Sequence, residues 1–271
     1  KIMTLNISKL FNLKGKNIII TGSAGRLGSQ FSKILSSAGA NTILVDINKS
    51  KNLQLEKKLR NTYQTHAKSY SVDLSQPSEI IKFKKEFFKD FTNIHGLINN
   101  VHVNFPPKTG NFDLENYPIE NWQKYIDMHL TATFLMCREF GSVMAKKQNG
   151  SIVNISSIYG LVGPDQKIYG DSKLNSPAPY SAVKAGVVNL TRYLASYWAG
   201  KNVRVNTLTP GGVLDSSYQS SKFIKNYSSK TMLGRMANPN DFNGAMLFLM
   251  SDASSYMTGS NLVIDGGWTA W

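Results

Sequence analysis

Residues 17–28 read NIIITGSAGRLG, a β-branched apolar run that passes directly into a turn carrying three glycines, with a helical pattern following over 25–38. A strand that feeds a glycine turn and then a helix brings free backbone N–H groups and the positive end of a helix dipole to one point. That combination holds phosphate. Gly22 permits the tight turn, and Gly28 lets the helix and strand backbones approach. Thr21, Ser23, Gly25, Arg26 and Leu27 complete the candidate turn. Arg26 interrupts the glycine spacing, and its guanidinium is placed either to reach a 2′-phosphate or to point into solvent from the first helical turn.

The same alternation continues along the chain. Apolar runs predict strands at 17–21, 41–46, 67–72, 94–99, 150–156, 202–207 and 261–264. Amphipathic periodicity predicts helices at 25–38, 49–61, 77–90, 120–147, 179–199 and 239–251. Strands alternating with helices imply crossover units, hence an α/β fold with a doubly wound parallel sheet between two helical layers. Only 157–179 and 211–237 break the rhythm. No linker, composition shift or repeat divides the 271 residues, so one domain over 1–271 is expected.

In such a sheet ligands bind beyond the carboxyl ends of the strands. Asp46 ends the second predicted strand, eighteen residues beyond Gly28. A carboxylate there accepts both ribose hydroxyls of an adenosine and repels a 2′-phosphate, which favours NAD over NADP. The competing role for Asp46 is a cap on the helix at 49–61, which Asn48 could supply instead. Asp73 and Leu74, after the third strand, are placed to meet an adenine ring, although Asp73 equally suits turn chemistry before Pro77.

Composition narrows the function classes. Cys137 is the only cysteine, which excludes an internal disulfide and suits a reducing cytoplasm. No apolar stretch is long enough to span a bilayer, and the opening residues lack a secretory apolar core. The net charge of +14 could mark nucleic-acid binding, but the lysines are scattered over polar helix faces. In 78–91, for example, Ile80, Phe83, Phe87 and Phe91 form an apolar stripe and lysines fill the other side. A solvated basic surface is expected, with no nucleic-acid or membrane partner. The four histidines have no zinc-ligand spacing, and no metal is expected. Ser181-Ala182-Val183-Lys184 and Lys108-Thr109-Gly110 match two motifs of penicillin-binding enzymes, but in reversed order and without the third.

Two further stretches carry chemistry. Residues 152–157, IVNISS, form a buried strand ending in two hydroxyls, and residues 179–186, PYSAVKAG, open a long helix. Tyr180 and Lys184 are four apart and share a helix face. A lysine cation near a tyrosine hydroxyl favours the phenolate and lowers its pKa, and a nearby serine can hold a substrate oxygen. Alone, the pair could be an ordinary exposed i, i+4 contact. Beside a nicotinamide, Ser157, Tyr180 and Lys184 supply what alcohol–carbonyl redox chemistry needs.

The segments TGSAGRLG, INN at 98–100, NISS at 154–157, YSAVK at 180–184 and NVRVNTLTPGGV at 202–213 resemble, in order, the motifs of the short-chain dehydrogenase/reductase family. The ending, SDASSYMTGSNLVIDGGW, resembles that family's C-terminal strand and subunit-packing region. The resemblance implies a Rossmann fold and a homotetramer. It implies that Tyr180 is the general acid/base, that Lys184 binds the nicotinamide ribose, and that Ser157 orients the substrate. Asn99 would support the cofactor region, and Pro210, Gly211 and Val213 would line the carboxamide. The chain departs from the family at three places. Arg26 takes the middle glycine position, Val101-His102 follow the Asn pair, and His129 stands where an asparagine usually holds a relay water. His129 could hold that water through a ring nitrogen or merely fill space.

From Ser157 to Tyr180 the chain runs 23 residues, more than is common in the family. The insertion at 158–179 is expected to act as a lid, and 211–237 as a substrate loop. The polar residues Asp165, Gln166, Lys167, Asp171 and Asn175, with the flat rings of Tyr159 and Tyr169, suit a sugar, sugar derivative or polyol. The insertion also resembles a bacterial subgroup associated with surface-sugar and flagellin modification. Alternatives are a 3-oxoacyl-carrier-protein reductase and a catalytically silent nucleotide- or RNA-binding protein.

Overall fold

Seven runs of residues form seven strands: β1 (Asn17–Thr21), β2 (Asn41–Asp46), β3 (Ala67–Ser71), β4 (Gly96–Asn99), β5 (Gly150–Ile155), β6 (Val203–Pro210) and β7 (Asn261–Ile264). The computed structural model describes residues 6–103, 114–172, 175–217 and 219–271. The 108–110 segment therefore lies outside the described residues. The helices are α1 (Ile7–Leu10), α2 (Arg26–Ser37), α3 (Lys49–Tyr63), α4 (Pro77–Asp90), α5 (Ile119–Tyr125), α6 (Ala132–Met136), α7 (Ser142–Lys147), α8 (Ala178–Tyr197), α9 (Ser221–Ser228) and α10 (Asn243–Met250).

All strand pairs are parallel, in the order β3-β2-β1-β4-β5-β6-β7. The chain builds outward from β1 to β3, then crosses to β4 on the other side of β1. The direction of winding therefore reverses between β1 and β4, and a crevice opens beyond their carboxyl ends.

Alternation along the strands separates two cores. Ile18, Ile20 and Leu44 face Phe31 and Leu35 of α2, Leu55 and Leu59 of α3 and Met246 of α10. Ile19, Ile43 and Val45 face Phe83 and Phe87 of α4, Met136 and Phe140 of the long helical run, and Leu194 of α8. The sheet is covered on both faces, which is why β1, apolar over its central three residues, is buried at every position. The sheet is thus the middle of three layers, as expected.

Three local features differ from the periodicity. The expected single helix at 120–147 is interrupted by π-helical turns at Ile126–Thr131 and Cys137–Gly141. β6 runs on to Pro210, because buried Thr207 and Thr209 continue the pleat. Inside 211–237 lies the unexpected helix α9, capped by the Ser220 side chain. Its Phe223, Ile224 and Tyr227 pack with Ile158 and Ile168 of the insertion and with Trp268 in a third apolar cluster.

Candidate active site

A cleft of about 970 Å³ runs along the carboxyl ends of the strands, from the glycine turn to α8 and α9. Gly22 has φ +61°, a left-handed conformation that favours glycine, and Asn100 backs directly onto it. At Gly28 a Cβ would come within 2.1 Å of the Gly22 carbonyl oxygen, so only glycine lets α2 start this close to β1. Gly25 is the N-cap of α2 and no side chain caps the helix. The first-turn amides of α2 are thereby left for an anion.

Asp46 stands at the end of β2 with its carboxylate fixed from two sides. The Ala24 amide donates to Oδ2 at 3.0 Å and the Asn48 amide to Oδ1 at 2.8 Å. The cap of α3 is Asn48, whose side chain accepts from the Lys51 amide. Asp46 is therefore not the helix cap. Asp73 does perform turn chemistry, accepting from the Ser75 amide and hydroxyl, yet with Leu74 it also lines the cleft. Gly22, Gly25, Arg26, Leu27, Pro210, Gly211 and Val213 line it as well.

Three expected cofactor residues support the cleft from behind instead of lining it. The Thr21 hydroxyl donates to the Ile98 carbonyl and accepts from the Asn100 amide, tying β1 to β4. Ser23 donates to Asn52 Oδ1 at 2.7 Å. Asn99 donates to Asn154 Oδ1 at 2.8 Å and to Cys137 Sγ at 3.3 Å, locking β4 to β5 and the long helical run. In each case the side chain is already hydrogen-bonded inside the protein.

At the far end of the cleft Ser157, Tyr180 and Lys184 come together. Ser157 follows β5 and accepts from the Tyr159 amide at 3.2 Å, and its hydroxyl is close enough to the Tyr180 phenol to act on it electrostatically. Tyr180 lies in the first turn of α8, half-buried, and lines the cleft. Burial pushes the phenol pKa above its ordinary value, and the nearby Ser157 hydroxyl pulls it back. Lys184 is buried, and burial pushes its pKa down to about 8. Its Nζ donates to the Ile155 carbonyl at 2.9 Å and lies 5.8 Å from the Tyr180 ring centroid.

His129 sits in the first π-helical turn, stacked on Tyr125 with centroids 5.5 Å apart and edge-on to Tyr180 at 6.1 Å. Its ring is buried, and neither nitrogen has a hydrogen bond in the described structure. The Val103 carbonyl is close enough to act on the ring electrostatically without bonding geometry. Burial, then the Lys184 and His102 charges, hold its pKa well below the ordinary value, so the imidazole is neutral at pH 7. His102 contributes an exposed ring 5.6 Å from that of Tyr180.

The insertion also differs from expectation. Asp165 pairs with Lys230, Asp171 pairs with Lys222, and the Gln166 amide clamps both backbone groups of Ser176. Those groups hold the insertion to itself and to α9. From the insertion, Ile158, Tyr159, Tyr169, Ser172, Asn175, Ser176 and Pro177 line the cleft, together with Gln219 and Phe223 of the other loop. The periodicity at 211–237 could have shown this, since SKFIKNYS carries Phe223, Ile224 and Tyr227 at helical spacing.

Residues 22–269 match the family model described as enoyl-(acyl carrier protein) reductase. A D-arabinitol 2-dehydrogenase (ribulose-forming) of Candida albicans is 32% identical over 287 residues, covering 98% of this chain and 97% of the relative. The chain belongs to the short-chain dehydrogenase/reductase family. The post-translational flagellin modification protein A of Campylobacter coli is 31% identical, over 94% of this chain and 99% of the relative. Among solved structures, a short-chain dehydrogenase from Leptospira borgpetersenii with bound NAD+ is 32% identical, with a TM-score of 0.84 over 99% of this chain and 98% of that one. An NADPH-dependent 3-quinuclidinone reductase from Rhodotorula rubra is 26% identical, with a TM-score of 0.88 over 100% and 97%. This short-chain dehydrogenase/reductase uses a nicotinamide cofactor to interconvert an alcohol and a carbonyl, and the silent-protein alternative falls away. The glycine turn, the uncapped α2 and the fixed Asp46 fit such a cofactor.

Proposed function

We propose that this enzyme interconverts a polyol or sugar alcohol and the corresponding ketose, using NAD. The observation that carries the substrate class is the mouth of the cleft, where the Tyr159 and Tyr169 rings and the polar groups of Ser172, Asn175, Ser176 and Gln219 line the same cavity as Tyr180. The D-arabinitol relative supports the same class. When bound, the cofactor supplies or accepts the hydride. Tyr180 moves the proton at the substrate oxygen, Ser157 holds that oxygen, and Lys184 has N–H donors beyond the one given to Ile155 for the nicotinamide ribose. His129, neutral and unpartnered, supplies one donor and one acceptor to a water behind Tyr180. The catalytic set is thus Ser157, Tyr180, Lys184 and His129. The insertion 158–179 and the loop 211–237 act as one cap over the substrate. The lone buried Cys137 fits a reducing cytoplasm.

The test is a panel of pentitols, hexitols, ketoses, sugar acids and a 3-oxoacyl carrier protein, assayed with both cofactors by the change in nicotinamide absorbance. Turnover of the acyl substrate alone would overturn the sugar reading.

The preference for NAD rests on Asp46, whose carboxylate is held in place by two amides and repels a 2′-phosphate. Replacing Asp46 with Ser is expected to raise kcat/KM with NADP by about tenfold and to lower it with NAD. A wild type that binds NADP more tightly in a fluorescence titration would overturn the preference.

A homotetramer is proposed as well. Tyr193 and Tyr197 stack on an exposed face of α8, and Phe134 of α6 is also exposed, which leaves aromatic surface for a second subunit. Light scattering at micromolar concentration should give four times the 30.1 kDa chain mass. A monomeric mass would refute it.

A further inference from the structure

Arg26 does not point into solvent. Its guanidinium forms an ion pair with Asp215 and donates to the Leu214 carbonyl at 3.1 Å, so a side chain from the glycine turn reaches the loop after β6. Asp215 is itself built to receive it. One carboxylate oxygen accepts from the Ser217 amide and hydroxyl, at 3.1 and 2.5 Å, and the Asp215 amide donates to Gln219 Oε1. That local turn fixes the side chain and leaves Oδ2 for Arg26. Asp46, Arg26 and Asp215 line the same cleft, and the Asp46 carboxylate is bonded to the amide of Ala24, two residues before Arg26.

We infer that Asp215 is a remote determinant of cofactor choice. By holding Arg26 it keeps a guanidinium from the place beside Asp46 where an adenosine 2′-phosphate would lie. The inference rests on the reading of Asp46 as the ribose-binding residue. A guanidinium binds carboxylate and phosphate through the same planar fork of N–H donors, so Asp215 and a 2′-phosphate compete for one set of hydrogen bonds. Asp46 disfavours NADP by repulsion, and Asp215 disfavours it by occupying the cation that would offset that repulsion. The pair stands at the mouth, with side chains 39% and 20% exposed, so an entering ligand can reach it. Lys51 of α3 lies on the same rim and is unchanged by the variants below.

The test compares kcat/KM and the dissociation constants for NAD and NADP in wild type, Asp215→Asn, Asp215→Glu, Arg26→Ala and the Arg26→Ala/Asp215→Asn double variant. Asparagine keeps an acceptor for the Ser217 turn and loses the charge. It is expected to raise the NADP/NAD ratio of kcat/KM about tenfold, the effect of one charge-assisted hydrogen-bond contact. Asp215→Glu should restore the wild-type ratio, and the double variant should lose the gain. If Asp215 merely braced the loop, both cofactors would suffer equally and the ratio would stay fixed, which overturns the inference. A gain that survives in the double variant overturns it too. A wild type that already prefers NADP refutes the Asp46 reading separately. In that case an Asp215→Asn ratio equal to wild type, with Arg26→Ala losing NADP, overturns the inference as well.

Discussion

Tyr180→Phe is expected to lower kcat by a factor of about 10²–10⁴, the loss on removing a positioned acid/base, while the dissociation constant for the cofactor stays near wild type. The substitution removes one oxygen and nothing else. The ring keeps its edge contacts with Tyr125, His102, His129 and Tyr159, so the wall of the cleft is preserved. What disappears is the hydroxyl that moves the proton in the proposed mechanism, beside the Ser157 hydroxyl in the cleft. The protein's own environment holds this phenol protonated, because burial outweighs the nearby Ser157 hydroxyl. A neutral phenol is ready to donate in carbonyl reduction. Alcohol oxidation needs the phenolate, whose formation a positive nicotinamide ring nearby favours. The oxidation rate should therefore climb with pH further than the reduction rate does. Steady-state kinetics in both directions, with cofactor binding followed by fluorescence, check both statements. A variant with near-normal turnover would remove Tyr180 from the mechanism.

The sheet was legible because its signal is local. β1, β2 and β5 are buried on both faces and read as unbroken apolar runs, and Gly22, Gly28 and Asp46 announce themselves by position relative to those runs. The Tyr180–Lys184 spacing was likewise readable, since four residues define a helix face. The rest needed three dimensions. A π-helical turn changes hydrogen-bond partners by one residue within a continuous amphipathic pattern, so periodicity passes over it at His129. Helix α9 left a local trace in the spacing of Phe223, Ile224 and Tyr227, but its packing partners, the insertion and Trp268, lie far away in the chain. The Arg26–Asp215 pair joins residues from two loops on separate crossover units, and neither neighbourhood alone specifies the other. The direction of the tyrosine pKa depends on how deeply the fold buries the phenol, which no spacing along the chain reveals.

Burial likewise makes Lys184 a site where function opposes stability. Its ammonium lies buried among protein groups with the Ile155 oxygen as the hydrogen-bond acceptor shown, and its pKa falls from an ordinary 10.5 to about 8. A base whose folded pKa is depressed binds fewer protons when folded, so the charged form opposes folding. The penalty is fully present below about pH 8, fades as pH rises toward 10.5, and is absent above it. A shift of this size corresponds to about 3 kcal/mol. Losing the bond to Ile155 returns about 1 kcal/mol of that. Lys184→Met, close in volume and uncharged, is thus expected to be more stable than wild type by about 2 kcal/mol at pH 7, raising Tm by about 4–8 °C. It should also lose at least about two orders of magnitude in turnover, because the ribose contact and the cation near Tyr180 go together. The stability gap should close as the comparison moves from pH 7 to pH 10, since the wild-type lysine then folds uncharged at little cost. Thermal denaturation of both proteins at the two pH values measures this directly. A wild type more stable than the variant at pH 7, with a gap that does not change with pH, would mean that the buried amine is solvated well enough to keep its charge freely.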